Sequence, residues 1–424
     1  MNVLVVGGGG REHALCWVLA RDATVFCAPG NPGTGEVGTN LPVPASDTAG
    51  LLAAIRAHAV DLVVIGPETP LADGLADRLR AADCAVFGPS AAAARIESSK
   101  AFAKDLMHGA GVPTAASRNF TAERDALAYV DAHAEPLVVK ASGLAAGKGA
   151  LVCATRREAA HAVRTMFGGR FGAAGREVVV ESFLEGEELS IFALTDGDRL
   201  TLLPSAQDHK RLGDGDTGPN TGGMGAYTPV RLATPALLDR VERDVLRPTL
   251  AALATAGAPY LGVLYAGLMI APDGAPSVVE FNCRFGDPET QVVLPVADLD
   301  LGAHLWAIAA GETWRSPPRA DARRAAVTTV VAAAGYPDTP EKGAVIPPLP
   351  APTDDAIVFH AGTVLGPDGT LRAAGGRVLC ATGFGPTVAA AAATSRALAE
   401  RVRFPGAQFR RDIAWREIGR AGAA

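Results

Sequence analysis

The start of the chain alternates short apolar runs with amphipathic stretches, a pattern that predicts β-strands followed by α-helices. Strands are predicted at residues 3–6, 24–27, 61–65 and 84–87, and helices at residues 12–21, 50–59 and 72–82. Strands joined through single helices pair in parallel by right-handed crossovers. In such a sheet the functional loops follow the carboxyl ends of the strands. We therefore expect them at residues 7–11, 29–34, 66–70 and 88–90.

A second unit begins after a helix predicted at residues 98–108, which stops at Gly109 or Gly111 ahead of Pro113. Its pattern predicts mainly strands, and two of them flank a glycine-rich loop as in a hairpin. The expected strands are 137–140, 150–154, 177–183, 190–194, 200–203, 261–270 and 277–281, the last two as an antiparallel pair, and the helices are 157–166 and 235–256.

Residues 311–325 contain Pro317, Pro318 and several arginines and are typical of a linker. Beyond them, apolar runs predict strands at residues 326–330, 357–362 and 378–382, and an alanine-rich stretch predicts a helix at 388–402. These elements form a small α+β unit. A chain of 424 residues exceeds one ordinary core and is expected to form about two to four domains.

Composition narrows the class of protein. Hydrophobic residues make up 48% and charged residues 20%, which allows sizeable cores and excludes a disordered chain. A formal net charge of -6 argues against a general binder of nucleic acid or anionic membranes. The apolar start is too short for a signal peptide, and no apolar run reaches the ~18 residues that span a bilayer. We expect a cytoplasmic protein without nucleic-acid or membrane partners.

The six cysteines include no C-x-x-C pair, so the sequence predicts neither a zinc site nor a disulfide framework. We expect free, buried thiols. Cys283 lies in a segment rich in motifs, but no histidine adjoins it, and we do not assign it a catalytic role.

Four glycines, residues 7–10, follow the first strand. A dinucleotide fingerprint needs G-x-G-x-x-G, but its last position falls on Glu12 or His13, and the second strand ends without an acidic residue. A nicotinamide dehydrogenase is therefore disfavoured. Two interpretations stay open for this loop: amides that hold a phosphate at a helix N-terminus, or a tight turn that needs small residues.

Two lysines and an acidic segment predict a triphosphate site. Lys140 ends a strand and Lys148 lies in the glycine loop 143–149, where amides can approach phosphates closely. The loop alone could equally be an exposed hairpin tip. The segment 181–188 alternates carboxylates with apolar residues, which suits an adenine wall and ribose hydroxyls, although alone it could be an acidic surface turn.

The segment 280–289 predicts a metal and anion site. Glu280 and Asn282 share one face of a strand, because side chains alternate with period two. Two oxygen ligands together with substrate phosphates are how magnesium is usually held. Arg284 lies on the same face if the strand continues, and it supplies a fixed cation for an anionic transition state.

A long polar loop, residues 207–225, is rich in glycine and is of the kind that often carries function. It contains Asp208 and His209. His209 could act as an acid or base, but a hydrogen-bonded imidazole is commoner, and we assign it no role.

Taken in order, these elements resemble the ATP-grasp superfamily. The match becomes specific at residues 284–291, Arg-Phe-Gly-Asp-Pro-Glu-Thr-Gln, which resemble the signature of the phosphoribosylamine–glycine ligase family. Further matches lie at residues 9–14, 29–31, 66–68, 99–104, 207–210, 219–224 and 412–416. The resemblance implies a doubly wound N-terminal α/β domain (1–100), a two-part ATP-grasp domain (101–315) with a mobile lid at about 113–188, and a C-terminal α+β domain (325–424).

The resemblance also implies the reaction and its residues. ATP, glycine and 5-phosphoribosylamine would be the substrates, with Mg²⁺ or Mn²⁺, in a monomer. The implied catalytic residues are Arg284 and Lys148, and the implied metal ligands are Glu280 and Asn282. Those implied for ATP are Lys100, Lys140, Gly147, Lys148, Gly149, Glu181, Phe183, Leu184, Glu187 and Glu188. Those implied for the other substrates are Gly9, Gly10, Asn31, Gly33, Glu68, Asp208, Asn220, Thr221, Gly222, Gly223, Met224 and Arg284.

The chain departs from the family pattern at two positions. Ser142 replaces a usual aspartate beside the glycine loop, and Pro32 replaces a usual alanine after Asn31. Neither change touches the lysines or the metal pair. The nearest alternative is another ATP-grasp carboxylate–amine ligase or a biotin-dependent carboxylase; a nucleotide-binding protein without catalysis is a further one.

Overall fold

The structure is a computed structural model and describes residues 1–145, 148–314 and 317–422. The first domain is built on a parallel sheet of order β3-β2-β1-β4-β5. Its strands are β1 (Asn2–Gly7), β2 (Thr24–Pro29), β3 (Thr39–Asn40), β4 (Leu62–Ile65) and β5 (Ala85–Phe87), and its helices are α1 (Gly10–Leu19), α2 (Thr34–Val37), α3 (Thr48–Ala57), α4 (Glu68–Ala72), α5 (Leu75–Arg80) and α6 (Ala91–Ser98).

Both faces of this sheet are covered. Leu4 of β1 belongs to the same apolar cluster as Leu51 of α3, whereas Val5 belongs to the cluster that contains Leu15 of α1. Alternate residues of one strand therefore point to opposite layers of helix, as in a doubly wound fold. The predicted α/β fold is confirmed.

Two helices differ from the sequence prediction. The helix expected at residues 72–82 is two helices, because Gly74 adopts a left-handed φ of +78° between them. The helix expected at residues 98–108 begins later, as α7 (Lys100–Gly109). Ser99 ends α6 with extended backbone and caps α7 through its side chain, which accepts from the Phe102 N–H.

The region predicted to act as a lid, which keeps the name lid below, contains a four-stranded antiparallel sheet of order β6-β9-β7-β8. Its strands are β6 (Ser117–Phe120), β7 (Leu137–Ala141), β8 (Ala150–Cys153) and β9 (Val178–Ser182), and its helices are α8 (Glu123–Ala132) and α9 (Arg156–Thr165). The hairpin predicted around the glycine loop is present, since β7 and β8 pair antiparallel. The lid has a separate apolar core that includes Val139, Val163 and Val180.

The body of the molecule is a second antiparallel sheet, of order β11-β10-β16-β17. Its strands are β10 (Glu187–Thr195), β11 (Leu200–Leu202), β16 (Gly262–Ile270) and β17 (Pro276–Asn282), and the nearby helices are α10 (Pro235–Val241), α11 (Arg247–Thr255), α12 (Thr290–Val296) and α13 (Leu301–Ala310). The predicted antiparallel pair is β16 with β17. Gly267 faces Glu280 and Leu268 faces Val278, so Val279 is the extra residue of a β-bulge.

The C-terminal domain is a five-stranded sheet of order β12-β15-β18-β22-β19. Its strands are β12 (Gln207–Asp208), β15 (Gly225–Thr228), β18 (Ala325–Ala332), β19 (Ala356–His360) and β22 (Arg377–Gly385); two hairpins add β13 (Arg211–Gly213) with β14 (Thr217–Asn220) and β20 (Thr363–Leu365) with β21 (Leu371–Ala373), and the helices are α14 (Val388–Arg401) and α15 (Trp415–Gly422). Thus β12 and β15, which flank the polar loop, belong to the C-terminal sheet. In the described parts of the chain, no helix is long and apolar enough to span a membrane.

Candidate active site

A cleft of about 520 Å³ lies where the domains meet. The lid contributes Lys140, the body contributes Glu280, the first domain contributes Arg11 and the C-terminal domain contributes Arg377. Its size suits a ligand of nucleotide dimensions. One cleft therefore receives charged side chains from every domain.

The lid wall holds a buried cluster of Lys140, Lys104 and Glu181. Lys140 Nζ contacts Glu181 Oε1 and donates to the Val279 carbonyl at 3.0 Å. Lys104 Nζ lies 2.5 Å from Glu181 Oε2 and donates to Thr114 Oγ1 at 2.7 Å. Two lysines share one carboxylate, so the cluster keeps one net positive charge beside the cleft, where it can attract a phosphate.

The same wall has an apolar part. Val138 and Val152 of the lid strands, with Leu184 and with Met269 of β16, line the cleft there. Phe183 also lines it and is 38% exposed, unusually high for a large aromatic side chain. A flat heterocycle fits such a surface, so these residues can hold adenine.

The body wall carries Glu280, Asn282 and Arg284 together, as predicted from their alternation. Arg284 Nη2 donates to Asn282 Oδ1 at 3.1 Å and lies 2.8 Å from Glu97 Oε1. Its Nε lies 3.4 Å from Glu68 Oε2. Burial lowers the pKa of Arg284, but Glu97 and Glu68 outweigh that effect and raise it, so the guanidinium stays charged.

Glu280 is surrounded by cations. Burial raises the pKa of its carboxyl, but Lys210, Lys100, Lys140 and Arg284 together hold the pKa below its ordinary value. Among the described residues no hydrogen bond or ion pair engages this carboxylate. It is therefore ionised and available to a ligand.

Glu280 and Asn282 are the two residues whose side-chain oxygens fit a divalent metal ion. No group of three or more His, Cys, Asp and Glu side chains forms a metal cluster within the described residues. Magnesium needs no such cage, because one or two protein oxygens together with phosphates and water complete its shell. An ionised carboxylate and an amide oxygen on one strand face fit that chemistry.

Opposite Glu280, Lys210 pairs with Glu188 of β10. Burial lowers the pKa of Lys210, but Glu188, Asp208 and Glu280 raise it well above the ordinary value. Burial raises the pKa of Asp208 to about 7; Lys210 opposes this, and Glu289 adds to it. Lysine and carboxylates thus alternate around this side of the cleft.

The first-domain loops adjoin the cleft, and of the substrate residues predicted in them only Glu68 lines it, next to Arg11 and Pro67. The Gly9 N–H already donates to Glu12 Oε2 at 2.6 Å. A Cβ on Gly10 would lie 2.6 Å from Gln291 Nε2, and one on Gly33 would lie 2.2 Å from His13 Cε1. Asn31 Nδ2 donates to the Gly8 and His360 carbonyls, both at 3.0 Å. These four residues lie in two closely packed loops, after β1 and after β2, which favours the tight-turn interpretation of the glycines.

The polar loop supplies Asn220, Thr221 and Gly222 to the cleft. The Thr221 N–H and Oγ1 both donate to the Lys210 carbonyl at 2.8 Å. Gly223 has a φ of +109°, and a Cβ there would lie 2.5 Å from Pro288 Cδ. Met224 is fully buried. These last two residues shape the loop from behind.

Three family descriptions match successive parts of the chain. The N domain of phosphoribosylglycinamide synthetase matches residues 1–97, its ATP-grasp domain matches 98–290, and its C domain matches 326–416. The chain belongs to the phosphoribosylglycinamide synthetase family. The resemblance drawn from the sequence is confirmed.

Known proteins extend this result. The phosphoribosylamine–glycine ligase of Agrobacterium fabrum is 48% identical over 100% of both chains. A solved phosphoribosylamine–glycine ligase from Thermotoga maritima is 36% identical with a TM-score of 0.86, covering 98% of this chain and 100% of that one. The biotin carboxylase domain of Hydrogenobacter thermophilus 2-oxoglutarate carboxylase has a TM-score of 0.72 at 17% identity, covering 96% and 91%, and shares the fold.

Of the residues predicted for ATP, Lys148 and Glu187 do not line the cleft. Lys148 Nζ donates to the Pro337 carbonyl at 2.7 Å, outside the cleft. Glu187 pairs with Arg420 of α15, because it lies on the face of β10 opposite to Glu188. Its predicted ribose role does not agree with this placement. Gly147 lies outside the described residues, whereas Gly149 lines the cleft.

Two further groups are not reactive. His209 Nε2 accepts from the Ala414 N–H at 2.9 Å, and burial lowers its pKa, which makes it a packing residue. Burial raises the pKa of the Cys283 thiol well above the ordinary value, with Glu97 adding to it. Cys283 therefore stays protonated, in agreement with the sequence interpretation.

Sequence reasoning missed several residues of the site. Glu97 holds Arg284, and its other oxygen accepts from the Cys283 N–H at 2.7 Å. Tyr265 donates to Glu289 at 2.6 Å, and Lys104 holds Glu181. Arg377 enters from the C-terminal domain. Glu289 stands within the predicted signature and Lys104 within the matched segment 99–104, but Glu97, Tyr265 and Arg377 have no local motif, because contacts far apart in sequence create their roles.

Proposed function

We propose that the chain ligates glycine to 5-phosphoribosylamine with ATP, giving glycinamide ribonucleotide, ADP and phosphate, a step of de novo purine biosynthesis. The relatives that match it over their full lengths carry the name of that activity. The observation that carries the proposal is that Lys140, Lys210, Glu280 and Arg284 converge on one cleft. This is a charge pattern for a triphosphate beside a carboxylate substrate.

The reaction needs an activated acyl group, because a carboxylate is a poor acyl donor. A glycine oxygen attacks the γ-phosphorus of ATP, ADP leaves, and glycyl phosphate forms. The amine of phosphoribosylamine then attacks the carbonyl carbon, loses a proton and expels phosphate. The protein's contribution is mainly positioning and charge stabilisation.

On this proposal Lys100 and Lys140 hold phosphate oxygens. Burial lowers the pKa of Lys100, with Glu280 opposing, and its Nζ lies 3.4 Å from the Gly143 carbonyl to which it donates. Arg284 faces the acyl phosphate as it forms. Lys148 acts as a phosphate ligand only after its ammonium leaves Pro337, so its catalytic role needs a movement of the lid.

The adenine end of the nucleotide lies in the apolar part of the cleft. Phe183 and Leu184 pack against adenine, Glu181 accepts from its amino group, and Glu188 binds the ribose hydroxyls. Glu280 and Asn282 would hold Mg²⁺ or Mn²⁺, which would neutralise phosphate charge when bound. Closure of the lid excludes water, which would otherwise hydrolyse the acyl phosphate.

Glu68, Asp208 and the loop residues Asn220 to Gly222 hold glycine and phosphoribosylamine, and the first-domain loops shape the site from behind. We further propose a cytoplasmic monomer, since ATP and glycine are available in that compartment; gel filtration tests the monomer.

The test is ADP release from purified protein with glycine and freshly generated phosphoribosylamine, each omitted in turn. We expect ADP and glycinamide ribonucleotide in equal amounts only in the complete mixture. The alternative is another ATP-grasp ligase or a carboxylase. ADP release that needs bicarbonate and biotin, or another amine, in place of these substrates would overturn the proposal.

A further inference from the structure

Two side chains of the C-terminal domain form hydrogen bonds with the backbone N–H and carbonyl of Gly222, which lines the cleft. The Gly222 N–H donates to the Tyr336 hydroxyl at 2.9 Å. The Gly222 carbonyl accepts from Arg377 Nη1 at 2.6 Å. Two side chains from a different domain therefore fix the position of one glycine in the wall of the cleft.

Arg377 also joins this loop to the signature segment. Its Nη1 donates to the Asp287 carbonyl at 2.6 Å, and its Nη2 lies 3.4 Å from Asp287 Oδ2. Burial lowers the pKa of Arg377, but Asp287 outweighs that effect and raises it, so the guanidinium stays charged. A guanidinium presents its donors in a rigid planar fork, whereas a lysine ammonium is a compact charge on a flexible stem.

Both side chains stand on rigid supports. Arg377 is the first residue of β22, the strand between β18 and β19. The Tyr336 backbone carbonyl accepts from Gln408 Nε2 at 3.0 Å, and the same amide nitrogen donates to the Ala333 carbonyl at 3.0 Å. The Tyr336 ring fills the space beside Gly376, where a Cβ would lie 2.4 Å from Cδ2.

Asp287, which Arg377 contacts, lies beside the first domain. Asp287 accepts from Gln291 at 2.9 Å, and its Oδ2 lies 3.7 Å from where a Cβ on Gly9 would stand. Burial raises the pKa of Asp287, but Arg377 and Arg11 together lower it. Lys140, which is proposed for ATP, instead contacts Glu181 and the Val279 carbonyl.

We infer that Arg377 and Tyr336 are positioning residues for phosphoribosylamine: they hold the Gly222 loop against the Asp287 turn, and the C-terminal domain thereby completes the acceptor site. This inference rests on the proposed function. The acceptor, rather than ATP, is the substrate that these two residues affect, because both hold Gly222 and Arg377 ties Gly222 to Asp287, which lies beside Gly9 of the first domain.

Three variants test the inference: Tyr336→Phe, Arg377→Lys and, as a control on the same domain, Arg372→Ala. Arg372 makes a surface ion pair with Asp368 at 2.8 Å. We expect KM for phosphoribosylamine to rise roughly threefold to tenfold in the first two variants, the size of one lost hydrogen bond, with KM for ATP unchanged. The control should match wild type.

Melting temperatures show whether each variant is folded, and Tyr336→Phe keeps the ring that packs on Gly376. Wild-type turnover with phosphoribosylamine is measured first, so a failure of the proposed function appears there as no product. If wild type is active and the folded variants keep a normal acceptor KM, or lose ATP and acceptor affinity equally, the inference is wrong.

Discussion

Glu280 and Arg284 in the cleft are surrounded by opposite charges that keep both of them ionised. Glu280 stays anionic because four cations face it, and Arg284 stays cationic because Glu97 and Glu68 hold it. A lone buried charge would instead shift its pKa and become neutral. Mutual support between opposite charges suits the site to an anionic nucleotide and a divalent ion.

Replacing Glu280 by Gln tests this arrangement at one residue. The variant keeps the shape of the side chain but loses the charge that faces Lys210 and the metal. We expect metal affinity, read from Mn²⁺ titration, to fall more than about tenfold, with turnover falling alongside it. Circular dichroism checks the fold. Unchanged Mn²⁺ affinity in a folded variant would remove Glu280 from the metal site.

The predictability of single residues follows from how far apart their partners lie. Alternation along one strand was enough to predict that Glu280, Asn282 and Arg284 share a face. No local pattern could predict that Glu97 at the end of α6 meets Arg284, or that Glu187 turns away toward Arg420 while Glu188 enters the cleft. Which of Glu187 and Glu188 enters the cleft depends on which face of β10 each occupies, and the pairing of β10 with β16 fixes those faces.

At the scale of elements, the junction of α6 and α7 contains a helix break at Ser99 that hydrophobic periodicity does not predict. Ser99 breaks the run and caps α7, so Lys100 stands at the first turn and points into the cleft. Ser142, which replaces the aspartate usual in the family, supports the same helix end. Its Oγ accepts from the Ala101 N–H at 3.1 Å, and its carbonyl accepts from the Lys100 N–H at 2.8 Å.

Ser142→Ala should therefore destabilise the helix end. The lost acceptor leaves a buried N–H without its side-chain partner, and we expect the free energy of unfolding to fall by about 1 kcal/mol. Urea denaturation measures this, with the exposed Ser46→Ala as the matched control. An unchanged midpoint for Ser142→Ala would contradict the capping role.

At the scale of the whole molecule, the domains are joined by shared elements as well as by contacts. The sequence order predicts that residues 207–225 belong to the ATP-grasp body, yet β12 and β15 complete the C-terminal sheet, with β15 paired to β18. Strands of two and four residues carry too weak a pattern to show this pairing. Four strands of the parallel sheet and both hairpins were predictable because their apolar runs alternate with amphipathic stretches or adjoin in sequence, whereas the two-residue β3 was not predicted.

The first and third domains meet at two buried histidines. The His360 N–H donates to His13 Nδ1 at 2.8 Å, and the His360 ring lies near Thr363 Oγ1 at 3.0 Å. Burial, with His360 adding to it, lowers the pKa of His13 to about 3, and burial lowers the pKa of His360 to about 4. Both imidazoles are neutral in the folded protein near neutral pH.

Acid should weaken this interface. Both pKa values lie below 6.5, so the unfolded chain binds protons first as pH falls from 6.5 toward 4. Each histidine then removes about 1.4 kcal/mol of stability per pH unit in that window. Urea midpoints at pH 7 and pH 5 should drop less in a His13→Gln, His360→Gln double variant than in wild type. Equal drops would contradict the assignment.

The most direct test of the proposed chemistry traces a carboxylate oxygen of glycine into the released phosphate. Glycine labelled with ¹⁸O in its carboxylate is turned over with unlabelled ATP and phosphoribosylamine, and the released phosphate is analysed by mass spectrometry. If the cleft forms glycyl phosphate, each phosphate carries one labelled oxygen, because the carboxylate oxygen that attacked the γ-phosphorus leaves with it. Turnover that releases only unlabelled phosphate would contradict the proposed chemistry.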